Sequence, residues 1–399
     1  MNSRTHGVSP EADERVLVVH DFLGHPFPVG LSHELARRGR RVTHLYSGDH
    51  VGPHGPLEER PADGATVRAV RGGERAPYGA AARDACLTAV REWRESGARG
   101  PVTLLSANAA PHVQAELLAV ARERGWRYVY WLQDLYGAAP TVDPGTAARE
   151  AAAVRASDHV VAVTEGFARS ARALGVPEDR VTVIPNWAAP PGARAPDAPV
   201  WEPAARFLAR GEPILLYAGT LDERHAPELL VELADACARA RLGQVVVVSQ
   251  GGGRAWLERQ RRLRGLTRLT LLDLQPYEDV PAMLAAADVT LVTLAREAAA
   301  VSAPSKLLAC LAAGRCVLAA APDGTETARV VLASGGGLVT DPRDAAGFTA
   351  AALRLSRDPA LRASYARSAR VWSRDAFDVP AVADRFARVL WGRPAEDAP

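Results

Sequence analysis

The chain should fold as an α/β protein with two doubly wound domains in tandem, and three observations predict it. β-Branched runs alternate with alanine- and arginine-rich stretches of helical length. The runs are continuous rather than alternating, as parallel strands covered on both faces require. The rhythm stops once, at a proline-rich stretch, and then starts again. In the first half, strands are expected over residues 16–20, 41–46, 102–105, 127–131, 159–163 and 181–184. In the second half they are expected over 214–217, 245–248, 269–272, 289–292, 316–319 and 337–339. Between Trp187 and about Glu202, prolines and small residues can neither continue a helix nor pair as a central strand, which sets the boundary. The expected organisation is a Rossmann-like domain over 14–190, a linker over 191–207, a second Rossmann-like domain over 208–372 and a terminal helical segment over 373–395. Doubly wound sheets hold ligands beyond the carboxyl ends of their strands, so the expected site is a cleft across which the two domains face.

Composition excludes several classes. The 399 residues are 48% hydrophobic, ample for two cores, and carry a net charge of +2, too small a basic excess for nucleic acid to be a general partner. The four cysteines form no CxxC, no signal-like N-terminus is evident, and no apolar run approaches a membrane span, so a cytoplasmic protein with reduced thiols is expected. No 20- to 50-residue repeat points to a solenoid. Gly-x-Gly-x-x-Gly does not follow the first strand, which argues against a dinucleotide-dependent oxidoreductase. Asp-x-Asp is absent, so a metal–diphosphate clamp has no candidate, and His44, His50 and His54 lack ligand spacing; no metal is expected.

Lys306 is the only lysine, against 47 arginines, and it follows Pro304-Ser305 between an expected strand and an expected helix. An ammonium is a compact point charge that reaches a phosphate oxygen beside a helix start, where the wide guanidinium fork does not fit. Two further turns belong to the same expected sheet edge, Ala218-Gly219-Thr220 and Gln250-Gly251-Gly252-Gly253, each able to bring backbone N–H groups close to an anion. The convergence of three such turns points to a nucleotide diphosphate. Asp134 closes the strand over 127–131 and is the candidate to accept a proton or hold sugar hydroxyls, with a turn cap as the bland alternative. Glu326 stands after another strand end, as a helix-capping acid or as a carboxylate on the ligand edge. Arg37-Arg38-Gly39-Arg40-Arg41 is either a solvated helix end or a contact for an anionic lipid surface.

The segments Tyr217-Ala218-Gly219, Ser249-Gln250-Gly251-Gly252-Gly253, Gln275-Pro276-Tyr277-Glu278, Pro304-Ser305-Lys306-Leu307, Ala312-Ala313-Gly314 and Gly336-Gly337-Leu338-Val339 fall in the order seen in family-four glycosyltransferases. The second half resembles their C-terminal domain throughout. In the first half Trp131-Leu132-Gln133-Asp134-Leu135-Tyr136 and Ile184-Pro185-Asn186-Trp187 resemble the colanic-acid fucosyltransferase-like branch. The resemblance is strong over 214–339 and loose before 102. It implies a GT-B fold and hexosyltransferase-type transfer from a nucleotide-diphosphate sugar to an acceptor hydroxyl, in polysaccharide or glycoconjugate biosynthesis. It further implies retained anomeric configuration and neither metal nor cofactor. The donor set it implies is Gly219, Thr220, Gln250, Gly251, Gly252, Leu274, Ser305 and Lys306, with Asp134, Lys306 and Glu326 as catalytic candidates. The acceptor set is Gly30, His112 and Asp134, for a carbohydrate, a lipid-linked sugar or a small molecule, with peripheral contact at the inner membrane face admitted. Two departures stand out. The family's Glu-x7-Glu pair falls at Ala309 and near Val301, and its Arg and Lys after the first strand of the domain fall at Thr220 and at Arg224 or His225. A non-catalytic partner of the same fold and a sugar-nucleotide epimerase therefore remain open.

Overall fold

The computed structural model describes residues 15–49, 65–72, 77–138, 142–188, 201–296 and 305–392. Val301, Pro304, His50 and His54 lie outside them. The chain divides into two compact units, one built from residues up to Pro185 together with Val379–Pro399, the other from Asn186–Asp378.

The first unit holds strands β1 (Val16–Asp21), β2 (Arg41–Ser47), β3 (Ala65–Val70), β4 (Val102–Ala107), β5 (Arg127–Leu132), β6 (His159–Ala162) and β7 (Val181–Val183), and helices α1 (Pro26–Arg37), α2 (Tyr78–Glu95), α3 (Pro111–Glu123), α4 (Pro144–Ala156) and α5 (Glu165–Ala173). The strand order is β3-β2-β1-β4-β5-β6-β7, and all pairs are parallel. The order reverses between β1 and β4, the place where such sheets bind ligands. Asp143 and Thr164 cap α4 and α5, their side chains accepting from the amides of Thr146 at 2.9 Å and Phe167 at 3.1 Å. The strand β3 was not expected. Its exposure alternates and Arg68 interrupts it, as suits an edge strand, so it lacks the continuous apolar run that marks the central ones.

The second unit holds α6 (Glu202–Leu208), β8 (Ile214–Ala218), α7 (Glu228–Ala240), β9 (Gln244–Val248), α8 (Gly252–Arg264), β10 (Leu269–Leu272), α9 (Val280–Ala286), β11 (Val289–Thr293), α10 (Ser305–Ala312), β12 (Cys316–Ala320), α11 (Glu326–Ser334), β13 (Gly337–Thr340), α12 (Ala345–Arg357) and α13 (Pro359–Ala376). Its strand order is β10-β9-β8-β11-β12-β13, again all parallel, with the reversal between β8 and β11. Leu215, Tyr217, Leu230, Val247, Leu318 and Phe348 are fully buried in its core, each such side chain worth about 1.5–3 kcal/mol or more of burial. Within the stretch read as linker, Glu202–Leu208 is helical because Trp201, Ala204 and Phe207 bury one face.

The last helix, α14 (Val379–Trp391), returns to the first unit. Val382, Ala383, Phe386, Val389 and Leu390 are buried, and Phe386 meets Trp131 edge-on at 4.7 Å. Arg38 at the end of α1 pairs with Asp384 at 2.5 Å and donates to the Pro380 carbonyl at 2.9 Å. The arginine run after α1 is engaged in the same way. Arg37 pairs with Glu34 at 2.7 Å, Arg40 lies 4.9 Å from the Trp391 ring, and Arg41 lies 5.4 Å from Trp93 and donates to the Ser96 hydroxyl.

Candidate functional site

The carboxyl ends of β8, β9 and β11 are neighbours in the second sheet; β8 and β9 open into two of the turns singled out above, and Lys306 lies at the start of the helix that follows β11 in the chain. Lys306 is the second residue of α10, which is anchored by buried Leu307, Leu308 and Leu311. Its Nζ donates to Tyr217 Oη at 2.5 Å and to the Thr220 carbonyl at 2.9 Å, and sits 4.5 Å from the centre of the Tyr217 ring. Tyr217 Oη in turn donates to the same Thr220 carbonyl at 2.9 Å. Burial pulls the Lys306 ammonium down to about 7; Asp222 and Cys310 act upward, and Arg224 acts downward. A half-buried cation braced by a phenol and a carbonyl, both neutral, is a group that an anionic oxygen could engage in their place.

The glycine turns are tied to one another. The amide of Gly219 bonds to the Val248 carbonyl, that of Leu221 to the Gln250 carbonyl and that of Gly253 to the Leu221 carbonyl, each at 3.0 Å. Gly219 has φ +123°, and a Cβ there would stand 3.1 Å from Lys306 Cε. Gly251 has φ +101°, and a Cβ there would meet the Leu221 carbonyl oxygen at 2.7 Å. A Cβ on Gly252 would meet nothing within 4 Å. The amino end of α8 has no side-chain cap and no acid in its first turn, so no carboxylate of that turn offsets its helix dipole, while the Gly253 amide is taken by the Leu221 carbonyl. A cavity of about 650 Å³ opens beside this turn, lined by Asp222, Arg224, Gly252, Gly253, Trp256 and Arg259.

Gly219, Thr220, Gln250, Gly251, Gly252, Ser305 and Lys306 thus share one sheet edge, with Thr220 contributing its carbonyl. Leu274 follows β10 on that edge, in a loop held by the Arg254–Asp273 pair at 2.8 Å and by Trp201 Nε1 donating to Gln275 at 3.2 Å. Of the two candidates for the family's second cation, His225 is held neutral at neutral pH. Burial, then the Lys306 charge, lowers it to about 4. Arg224 is the cation there, bonded to Asp222 at 2.8 Å. Glu326 opens α11 after β12, on the same edge, but its carboxylate is held bidentately by Arg329, with Nε at 2.9 Å.

In the first unit, β1, β4 and β5 are adjacent, and Gly30, His112 and Asp134 follow their carboxyl ends. Asp134 is exposed, beside Tyr136 and Glu150. Glu150, from α4, accepts from the amides of Tyr136 at 3.1 Å and Gly137 at 2.6 Å. Burial lifts its carboxyl above the ordinary value; those amides oppose the shift and the charge of Asp134 adds to it. His112 is exposed in the first turn of α3, and Gly30 is half-buried in α1 with open space where a Cβ would be. The strand reversal adds a pair missing from the sequence analysis. Buried Asp21 ends β1 and accepts from the His25 amide at 2.8 Å and from Asn108 Nδ2 at 2.7 Å. Asn108 has φ +55°, a conformation that singles it out just past β4.

Among the described residues no cluster of three or more His, Cys, Asp or Glu has metal-ligand geometry, and buried His44 bonds to Ser32 at 2.8 Å. Cys86, Cys237, Cys310 and Cys316 are free and buried, and burial pushes their thiols up to between about 11 and about 12, which makes them poor nucleophiles. No helix among the described residues is long and apolar enough to cross a membrane.

Residues 27–187 match the family profile described as "Glycosyl transferase 4-like domain", and residues 212–358 match "Glycosyl transferases group 1". The chain is 33% identical over 159 residues to a putative colanic acid biosynthesis glycosyl transferase, WcaI, of Escherichia coli (strain K12), a match covering 39% of each chain. It is 30% identical over 258 residues to the 2-deoxystreptamine glucosyltransferase of Streptomyces kanamyceticus, covering 61% of this chain and 64% of that one. The chain thus spans less than two thirds of either relative's length. Among solved structures it resembles Anabaena Alr3699/HepE in complex with UDP-glucose, with a TM-score of 0.70, 17% identity, and coverage of 94% of this chain and 99% of that chain. The fold is that of GT-B glycosyltransferases, two parallel-sheet α/β domains.

Proposed function

We propose that this chain, which carries a glycosyl transferase 4-like domain followed by a glycosyl transferases group 1 domain, moves a hexosyl unit from a nucleotide-diphosphate sugar to an acceptor hydroxyl. The observation that carries this reading is Lys306, the sole lysine, desolvated beside two interlocked glycine turns and an uncapped helix start. The second unit holds the donor. Lys306 and the N–H groups opening α8 and α10 meet the diphosphate, while the loop around Leu274 meets the nucleoside. As the bond from the anomeric carbon to the phosphate oxygen breaks, charge grows on the leaving diphosphate, and these groups are already placed to stabilise it. The acceptor oxygen bonds to the anomeric carbon on the face the phosphate leaves, and the departing phosphate takes the hydroxyl proton. Configuration is retained, and no metal or cofactor enters the scheme. The first unit holds the acceptor, a carbohydrate, lipid-linked sugar or small molecule, through Asp134, Gly30 and His112, with Asp21 and Asn108 beside them. We place the reaction in the cytoplasm, within polysaccharide or glycoconjugate biosynthesis. We place the chain near the colanic-acid fucosyltransferase-like branch, a reading supported by its similarity to a glycosyl transferase of colanic acid biosynthesis. Peripheral contact with the inner membrane would use an arginine run that is already engaged by Glu34, Asp384, Trp391 and Trp93.

The test is incubation with a panel of nucleotide-diphosphate sugars, following protection against heat and release of nucleotide. Protection with slow release is expected in the absence of acceptor. Protection without release, even with acceptors supplied, would identify a non-catalytic partner. Ala309 favours that second reading, because it stands one turn beyond Lys306 in α10 where the resembled family carries a glutamate. Release of an altered sugar would identify an epimerase.

The depressed pKa of Lys306 has a testable sign. A bound diphosphate favours the ammonium, so donor binding should take up a proton between about pH 7 and 9, and affinity should fall as pH rises through that window. Calorimetry in buffers of unlike ionisation enthalpy measures the uptake; buffer-independent heats would show that Lys306 does not meet the phosphates. In the absence of ligand the unfolded chain keeps this proton up to the ordinary value of 10.5, so this group makes stability rise with pH between about 7 and 10.5.

Asp134→Asn should leave the fold and donor affinity intact and lower transfer at least roughly tenfold, because a charge-assisted contact to the acceptor is lost. Asparagine caps a turn nearly as well as aspartate, so unchanged transfer would return Asp134 to a structural role.

A further inference from the structure

At the amino ends of its strands, the edge opposite Asp134, the first unit bears an open cavity of about 630 Å³. Arg15, Arg127, Arg385 and Arg388 line it, and among the described residues no carboxylate does. None of the four forms an ion pair with a described residue. Arg15 donates to the Trp391 carbonyl at 3.4 Å, Arg127 to the Val389 carbonyl at 3.1 Å, and Arg385 to the Val183 carbonyl. Two donors in the lining, Arg127 Nε and Trp391 Nε1, are buried with no hydrogen-bond partner. Gathering like charges and buried donors without acceptors is costly, and elsewhere this chain repeatedly pairs its arginines with acids, as at Arg38, Arg268 and Arg362. The remaining wall is apolar, formed by Pro101, Val389, Leu390 and the Trp391 ring.

We propose that this cavity is a second binding site, separate from the donor and acceptor sites, for an organic phosphate whose charged group meets the guanidiniums and whose apolar body lies along Leu390 and Trp391. A phosphomonoester carries nearly two charges and three acceptor oxygens, which suits several guanidiniums and two orphan donors better than a single carboxylate does. The volume falls within the ordinary range for small-molecule sites. His159, at the start of β6, contributes a neutral ring bonded to Thr182 at 2.9 Å. Burial and then the Arg127 charge lower its pKa to about 4, against an opposing pull from Asp179 just outside the lining. Four of the lining residues that matter here, Arg385, Arg388, Leu390 and Trp391, come from α14, so occupancy would also tie the returning helix to the sheet.

The probe is phenyl phosphate, titrated calorimetrically into the full chain, with co-sedimentation on phosphatidylcholine vesicles with and without phosphatidic acid as the second arm. The test variants are Arg385→Gln with Arg388→Gln, both exposed, and separately Trp391→Phe, which keeps the ring and removes the donor. Saturable binding of phenyl phosphate, weakened about tenfold or more by the double variant and less by Trp391→Phe, is expected. Heat protection by nucleotide-diphosphate sugars should be unchanged in both variants. Binding confined to phosphatidic acid vesicles, and lost in the double variant, would also support the site and assign the phosphate to a lipid headgroup. Absence of binding in both arms, or binding that the double variant leaves unaltered, overturns the proposal.

Discussion

Lys306→Ala should lower sugar transfer by roughly 100-fold or more at saturating donor, because the contact it removes strengthens as charge develops on the leaving diphosphate. The fold should survive. Leu307, Leu308 and Leu311 anchor α10, and the substitution removes a desolvated ammonium whose partners, Tyr217 Oη and the Thr220 carbonyl, keep a bond to each other. Lys306→Arg should restore little. The ammonium meets Tyr217 Oη at 2.5 Å and the Thr220 carbonyl at 2.9 Å as a compact point charge, a geometry that a planar guanidinium fork does not reproduce. Transfer rates of both variants, measured beside their unfolding midpoints, decide the matter. Wild-type rates in both would remove Lys306 from the chemistry, and a collapse of the midpoint would make its role structural.

The second large effect is expected at the glycine turn after β9. Gly251 has φ 101° and ψ 179°, a region open essentially to glycine alone, and a Cβ there would stand 2.7 Å from the Leu221 carbonyl oxygen. That oxygen already accepts from the Gly253 amide, so it cannot move without loosening the turn. Gly251→Ala should therefore destabilise the second unit by about 1–3 kcal/mol, a fall in its midpoint of roughly 2–12 °C. Gly252→Ala, one residue on, is the contrasting variant. Its Cβ enters open space at the start of α8, so stability should hold or rise slightly, while donor affinity should fall because the methyl occupies the approach of the phosphates. Thermal melts with and without nucleotide separate the two effects. Equal melts for the two variants would mean that the turn geometry is not what the glycines serve.

The strand rhythm was legible because parallel central strands are buried on both faces and leave unbroken apolar runs, as at β1, β4, β8 and β9. The edge strand β3 was not, because half of its residues meet solvent. The terminal segment expected over 373–395 was legible as helical, but nothing in it says which core it joins; an amphipathic face is silent about its partner, and the partners here, Trp131 and Arg38, lie some 250 to 350 residues earlier. Lys306 could be singled out from composition alone, whereas the phenol and carbonyl that brace it come from β8 and the turn after it and needed coordinates. Glu150 and the Asp21–Asn108 pair were missed for the same reason. Each is an ordinary acid or amide in sequence and acquires its meaning only from what the sheet edge places beside it.

The most direct measurement of the central claim is calorimetric titration of the wild type and Lys306→Ala with a panel of nucleoside diphosphates and the corresponding nucleosides. At least one diphosphate should bind the wild type, its dissociation constant should rise about tenfold or more in Lys306→Ala, and nucleoside binding should be the same in both. If no diphosphate binds the wild type, or if the variant binds it equally well, Lys306 is not at a diphosphate site and the donor site assigned to this sheet edge is wrong.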